Sequence, residues 1–189
     1  PGDCAAIYAP NCLPYIELVA GLSRAGVMVA TPTHRAAPEE LRQILENCQA
    51  KVVFCPDDLL ENLAGRTTAS VLSLDTGYEE MLARQSLSEL VPPADREATF
   101  CIPYTSGTTG EPKGVMLSHH CRAFLFEAMA HHFRCLGPDD QHLCFAPLAH
   151  GGGYGFAMAS VFNGGTLELL AAFDPAHVMA RLASGEVTS

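Results

Sequence analysis

The residues best suited to chemistry lie in one stretch, YTSGTTGEPKG at positions 104–114. Thr105, Ser106, Thr108 and Thr109 bring hydroxyl donors, while Gly107, Gly110 and Gly114 let the backbone turn tightly and expose its own N–H groups. Lys113 adds a flexible point charge suited to phosphate oxygens. Donors of this kind around one cation make a polyphosphate cradle. It is not the common NTPase loop, Gly-x-x-x-x-Gly-Lys-Ser/Thr, because Pro112 stands where that motif has its second glycine. GGGYG at 151–155 likewise fails the Gly-x-Gly-x-x-Gly dinucleotide fingerprint. The plainer alternative is a flexible connection of small polar residues. With so little apolar side chain to fix them, residues 106–113 are expected to be mobile without nucleotide.

The elements around this stretch alternate. CAAIYA (4–9) reads as a buried strand, LPYIELVAGLSRAG (13–26) as a helix, VMVAT as a strand and PEELRQILENCQA (38–50) as a helix with acidic residues in its first turn. KVVFC and SVLSL read as strands on either side of a short helix, DDLLENLAG, and GYEEMLARQ reads as helical. Residues 85–98, with Pro92-Pro93 and mixed charges, read as an exposed connection. Strand TFCIPY then leads into the cradle, followed by strand GVMLS, a long helix over 119–136 and strand HLCFA (142–146). After a Gly-rich corner come a helix over 155–163, strand TLELL and helix PAHVMARLAS. Such alternation predicts an α/β fold with a largely parallel sheet. The cradle then leaves its strand at the carboxyl end, where open α/β sheets bind ligands.

Bulk composition narrows the function. Hydrophobic residues make up 48% and charged residues 17%, as in a folded globular protein. Acidic residues outnumber basic ones 21 to 11, and no basic run marks a nucleic-acid partner. No apolar run reaches membrane-spanning length and no signal segment opens the chain, so a soluble, cytoplasmic protein is expected. The eight cysteines form no Cys-x-x-Cys pair and read as reduced, mostly buried thiols. Cys135, His142 and Cys144 fit no usual zinc spacing, and the pairs His119-His120 and His131-His132 sit near opposite ends of one helical stretch. No metal ligand is assigned within the chain.

YTSGTTGEPKGVMLSH resembles the phosphate-binding signature of the adenylate-forming (AMP-binding) enzymes, which include acyl-CoA synthetases, coumarate-CoA ligases, luciferases and peptide-synthetase adenylation domains. The likeness extends over PGDCAAIYAPNCLPYIELVAGLSRAGVMVATPTHRAAPEELRQILENCQAKVVF upstream, and over PLAHGGGYG, NGGTLELL and FDPAHVMARLASGEVTS downstream, essentially the whole chain. It implies ATP, Mg2+ and coenzyme A as cofactors and co-substrates, and a carboxylic acid, of fatty-acid or aryl-acid type, as substrate. A carboxylate attacks the α-phosphorus of ATP to give an acyl-adenylate and pyrophosphate, and in the synthetases coenzyme A then displaces AMP. By resemblance, Thr105, Ser106, Gly107, Thr108, Thr109, Gly110 and Lys113 hold the β- and γ-phosphates, with Lys113 catalytic through the charge that grows on pyrophosphate. His150, Gly151 and Gly152 match the mouth of the acyl pocket near the reacting carboxylate. A histidine capping a turn is the other reading of His150.

Departures from the family pattern carry their own expectations. Many members have an aromatic gate where this chain has Ala149, and Gly151–Gly153 add no bulk, which implies an acyl pocket open on this side. The family's Thr-Glu pair for Mg2+ and nucleotide, its ribose-binding Asp and its C-terminal lysine have no counterpart here. The chain is therefore expected to be an incomplete large N-terminal domain, inactive alone. Residues 1–146 are expected to form one α/β subdomain and 147–189 the start of a second. Within the family a luciferase-like or amino-acid-adenylating role stays open, as does a homodimer. Outside it, the open readings are a catalytically silent ATP-binding module and an interaction fragment.

Overall fold

The computed structural model describes residues 2–86, 95–106 and 111–189. The chain divides into two compact units, residues 1–9 with 14–119, and residues 10–13 with 120–189.

The first unit is built on a mostly parallel sheet. Its strands are β1 (Cys4–Ile7), β2 (Met28–Thr31), β3 (Ala50–Cys55), β4 (Ser70–Ser73), β5 (Thr99–Ser106), β6 (Pro112–Gly114) and β7 (Leu117–Ser118). They lie in the order β4-β3-β1-β2-β5-β6, with β7 also on β5. β1 to β5 pair in parallel, whereas β6 and β7 run antiparallel to β5. All four residues of β1 are buried, as expected for a parallel strand covered on both faces. Helices α1 (Leu13–Arg24), α2 (Pro38–Asn47) and α3 (Tyr78–Ala83) and a 3-10 helix (Asp57–Asn62) supply the connections. α2 shows why: Pro38 opens it, Glu39 and Glu40 suit its positive end, and Leu41, Ile44 and Leu45 recur on one face and are buried. Arg42 on the outer face donates to Glu39 and Glu46.

The second unit carries α4 (His119–Phe133, beginning one residue before the boundary), β8 (Gln141–Cys144), α5 (Gly151–Phe162), β9 (Thr166–Leu169) and α6 (Pro175–Ser184). β8 and β9 pair in parallel through the α5 crossover. α6 matches its sequence reading residue for residue, because both ends are signalled. Asp174 accepts from the N–H groups of Ala176 and His177, and Gly185 ends the helix at φ 73°.

Several elements differ from expectation; the helix expected over 119–136 ends at Phe133 and the one expected over 38–50 ends at Asn47. GVMLS is not one strand: Gly114 ends β6, Leu117 begins β7, and Val115 and Met116 between them are exposed. The helix read over 155–163 starts at Gly151, four residues early, and DDLLENLAG is a 3-10 helix ending at Asn62. β8 groups with the second unit, where its ladder partner is β9. Among the described residues no helix is long and apolar enough to cross a membrane. All eight cysteines are free thiols, five of them buried. The connection read over 85–98 falls largely on 87–94, outside the described residues.

Candidate functional site

In the first unit the two flanks of the cradle are zipped together. β5 and β6 pair Tyr104 with Gly114, Thr105 with Lys113 and Ser106 with Pro112. Residues directly opposite in an antiparallel ladder carry their side chains on one face, so Thr105 and Lys113, both exposed, are cross-strand neighbours. Pro112 lacks an N–H and is tolerated because β6 is an edge strand. Gly107, Thr108, Thr109 and Gly110 lie outside the described residues. So does that part of the stretch expected to be mobile, whereas Pro112 and Lys113 are strand residues.

Tyr104 anchors the first flank. Its hydroxyl donates to Asn47 Oδ1 at 2.6 Å, at the end of α2. Burial pushes its phenol above the ordinary value, so it stays protonated and keeps that bond. Gly114 is what lets the ring lie there. A Cβ at that position would come within 2.7 Å of Ile102 Cγ2 and 2.9 Å of Tyr104 Cζ. The third glycine of the motif is therefore a packing residue as well as a turn residue.

The second unit positions His150, Gly151 and Gly152. His150 is the N-cap of α5, yet its side chain makes no capping bond; its backbone N–H donates to Pro147 O at 3.0 Å. The alternative of a turn-capping imidazole finds no bond to support it. Gly151 and Gly152 are exposed, and a Cβ at either would meet open space. Gly153 is different in kind: a Cβ there would lie 2.4 Å from Pro147 O and 2.7 Å from Ala146 O. Ala149 is buried.

One organising residue escaped the sequence reading. Asn11 donates through Nδ2 to Ala146 O (3.0 Å) and Leu170 O (3.1 Å), and its Oδ1 accepts from Leu148 N–H at 2.8 Å. It thereby ties the segment leading to His150 onto the end of β9. Below, Arg122 of α4 is buried with its guanidinium 5.0 Å from the Tyr154 ring centre, a cation–π contact one turn into α5. His142 is buried, stacked on Phe156, with Nδ1 3.0 Å from Ser189 Oγ; burial lowers its pKa. Cys144 Sγ lies 3.6 Å from Ala146 O, and burial raises its thiol to about 11. Among the described residues no three His, Cys, Asp or Glu side chains converge as a metal site.

A sequence model described as AMP-binding enzyme matches residues 1–188. The chain belongs to the AMP-binding enzyme family. Feruloyl-CoA synthase of Amycolatopsis sp is 30% identical over 194 residues, covering 100% of this chain and 38% of that protein. The 2-succinylbenzoate–CoA ligase of Geobacillus kaustophilus (strain HTA426) is 30% identical over 187 residues, covering 99% of this chain and 37% of the relative. Among solved structures, ATP-bound MatB from Rhodopseudomonas palustris superposes with a TM-score of 0.87 at 26% identity, over 96% of this chain and 38% of that one. The chain thus spans well under half the length of these AMP-binding family members, and its fold is that of their N-terminal portion.

Proposed function

We propose that the full protein carrying this chain activates a carboxylic acid with ATP through an acyl-adenylate and passes the acyl group to coenzyme A. The observation that carries the reading is the β5–β6 ladder, which sets Lys113 opposite Thr105 at the two ends of the TSGTTGEPKG stretch. A carboxylate oxygen attacks the α-phosphorus, the bond to the bridging oxygen breaks, and negative charge builds on departing pyrophosphate. By the family resemblance, Thr105 to Gly110 and Lys113 hold that charge with hydroxyl groups, backbone N–H groups and one cation. The thiol of coenzyme A then attacks the acyl carbon and AMP leaves. Coenzyme A as acceptor is supported by the CoA-ligase relatives rather than by any residue of this chain.

His150, Gly151 and Gly152 are assigned to the acyl substrate. The unobstructed N-terminal turn of α5 offers backbone N–H groups and a helix-dipole end that favour a carboxylate. Ala149, being buried, shapes this corner from beneath. Mg2+ would neutralise phosphate charge, and no residue described here is assigned to it. A cytoplasmic setting is part of the proposal, in keeping with eight free thiols. Turnover is assigned to the full protein, not to these 189 residues alone. The test is to incubate it with ATP, Mg2+, coenzyme A and a panel of aryl and alkyl carboxylic acids. AMP and a thioester should form together with at least one acid. AMP release without a thioester would move the protein to another acceptor class, and no release with any acid would refute the proposal.

A further inference from the structure

The first unit holds a cavity of about 630 Å³ at the amino ends of β3 and β4, and none of its lining residues belongs to the β5–β6 hairpin. Three of the chain's 11 basic residues, Arg42, Lys51 and Arg66, converge on it. They are not equivalent. Arg42 is already held by Glu39 and by one oxygen of Glu46, the one carboxylate on the cavity wall. Lys51 is exposed and has no ion-pair partner among the described residues. Arg66 spends only Nη1, on the carbonyls of Glu61, Asn62 and Ala64, leaving Nε and Nη2 available. Gln49 and Thr68 add an amide and a hydroxyl, while Leu45 and Ala69 give an apolar floor.

We propose that this cavity is a second small-molecule site, selective for an organic phosphate ester and separate from the cradle that binds ATP. The sign follows from the exposed Lys51 ammonium and the remaining nitrogens of the Arg66 guanidinium, neither of which is ion-paired with a carboxylate among the described residues. A guanidinium fork beside an ammonium matches phosphate oxygens. The size calls for more than inorganic phosphate, since the volume falls within the roughly 300–1,000 Å³ typical of small-molecule sites. The apolar floor then meets the body of the ester. No covalent step is involved.

The experiment is calorimetric titration of the full protein with ribose 5-phosphate, ribose and inorganic phosphate in turn. Ribose 5-phosphate should bind saturably with a Kd below about 1 mM, ribose should not bind, and inorganic phosphate should bind more weakly. Lys51→Ala and Arg66→Ala should each weaken ribose 5-phosphate by about tenfold or more, the worth of one charge-assisted contact. Lys113→Ala should leave it unchanged, which separates this site from the cradle. Because Arg66 also holds the end of the 3-10 helix, Lys51→Glu, whose side chain supports nothing, is the decisive variant. Absence of saturable binding, equal affinity for inorganic phosphate, or an affinity indifferent to Lys51→Glu would each overturn the proposal.

Discussion

Replacing the three consecutive glycines of α5 one at a time by alanine should give opposite signs. Gly153→Ala places a methyl group 2.4 Å from Pro147 O and 2.7 Å from Ala146 O, and both obstacles are backbone. Neither can rotate away, so the first turn of α5 must move off the preceding segment. Overpacking of this kind costs about 1–3 kcal/mol, and the gain from removing glycine's unfolded-state freedom, about 0.4–1 kcal/mol, offsets only part of it. The net is a loss on the order of 1–2 kcal/mol. Gly151→Ala and Gly152→Ala meet open space and have no positive φ, so each keeps the gain and stabilises by about 0.4–1 kcal/mol. Amide hydrogen exchange of peptides spanning 151–162 in the full protein reads this locally. Exchange should speed by about tenfold in Gly153→Ala and slow by a few-fold in the other two. Equal protection in all three would refute the close-approach account of Gly153.

Other expectations follow from the same geometry. Asn11→Ala leaves two carbonyls and one N–H without their side-chain partner and should cost on the order of 3 kcal/mol, read as faster exchange across 146–150 and 170. Gly114→Ala should push β6 off Tyr104 and slow adenylate formation while leaving affinity for the acid unchanged; an unaltered rate would contradict the packing role. Burial lowers the His142 pKa from its ordinary 6.5, so the unfolded chain binds the extra proton first. Its contribution to stability is therefore complete above about pH 6.5 and lost as pH falls through the lower folded-state value. Thermal melts from neutral to mildly acid pH should show a shallower slope in His142→Gln than in wild type.

How much of this was legible depends on where each residue's partners lie. α6 was readable to the residue because Pro175 and Gly185 signal its ends locally. The start of α5 was not, since three glycines argue against a helix and only the approach of Pro147 and Ala146 explains why one of them is needed. GVMLS was misread as one strand because a run of suitable residues does not disclose that β5 takes Gly114 and Leu117 in separate ladders. Asn11 was invisible for a plainer reason: its partners are 135 to 159 residues away. The cradle was the opposite case, with its donors and its cation contiguous in sequence. The cavity at Lys51 and Arg66 has no motif and is assembled only by the strand order.

Lys113, set opposite Thr105, is assigned the charge that grows on the leaving pyrophosphate. ATP–pyrophosphate exchange in the full protein, with Mg2+ and an accepted carboxylic acid, tests it most directly by comparing wild type with Lys113→Ala. Removing one donor aimed at the developing charge should slow exchange by about 10²–10³-fold while affinity for the acid stays near wild type. An exchange rate unchanged by Lys113→Ala would remove Lys113 from the mechanism.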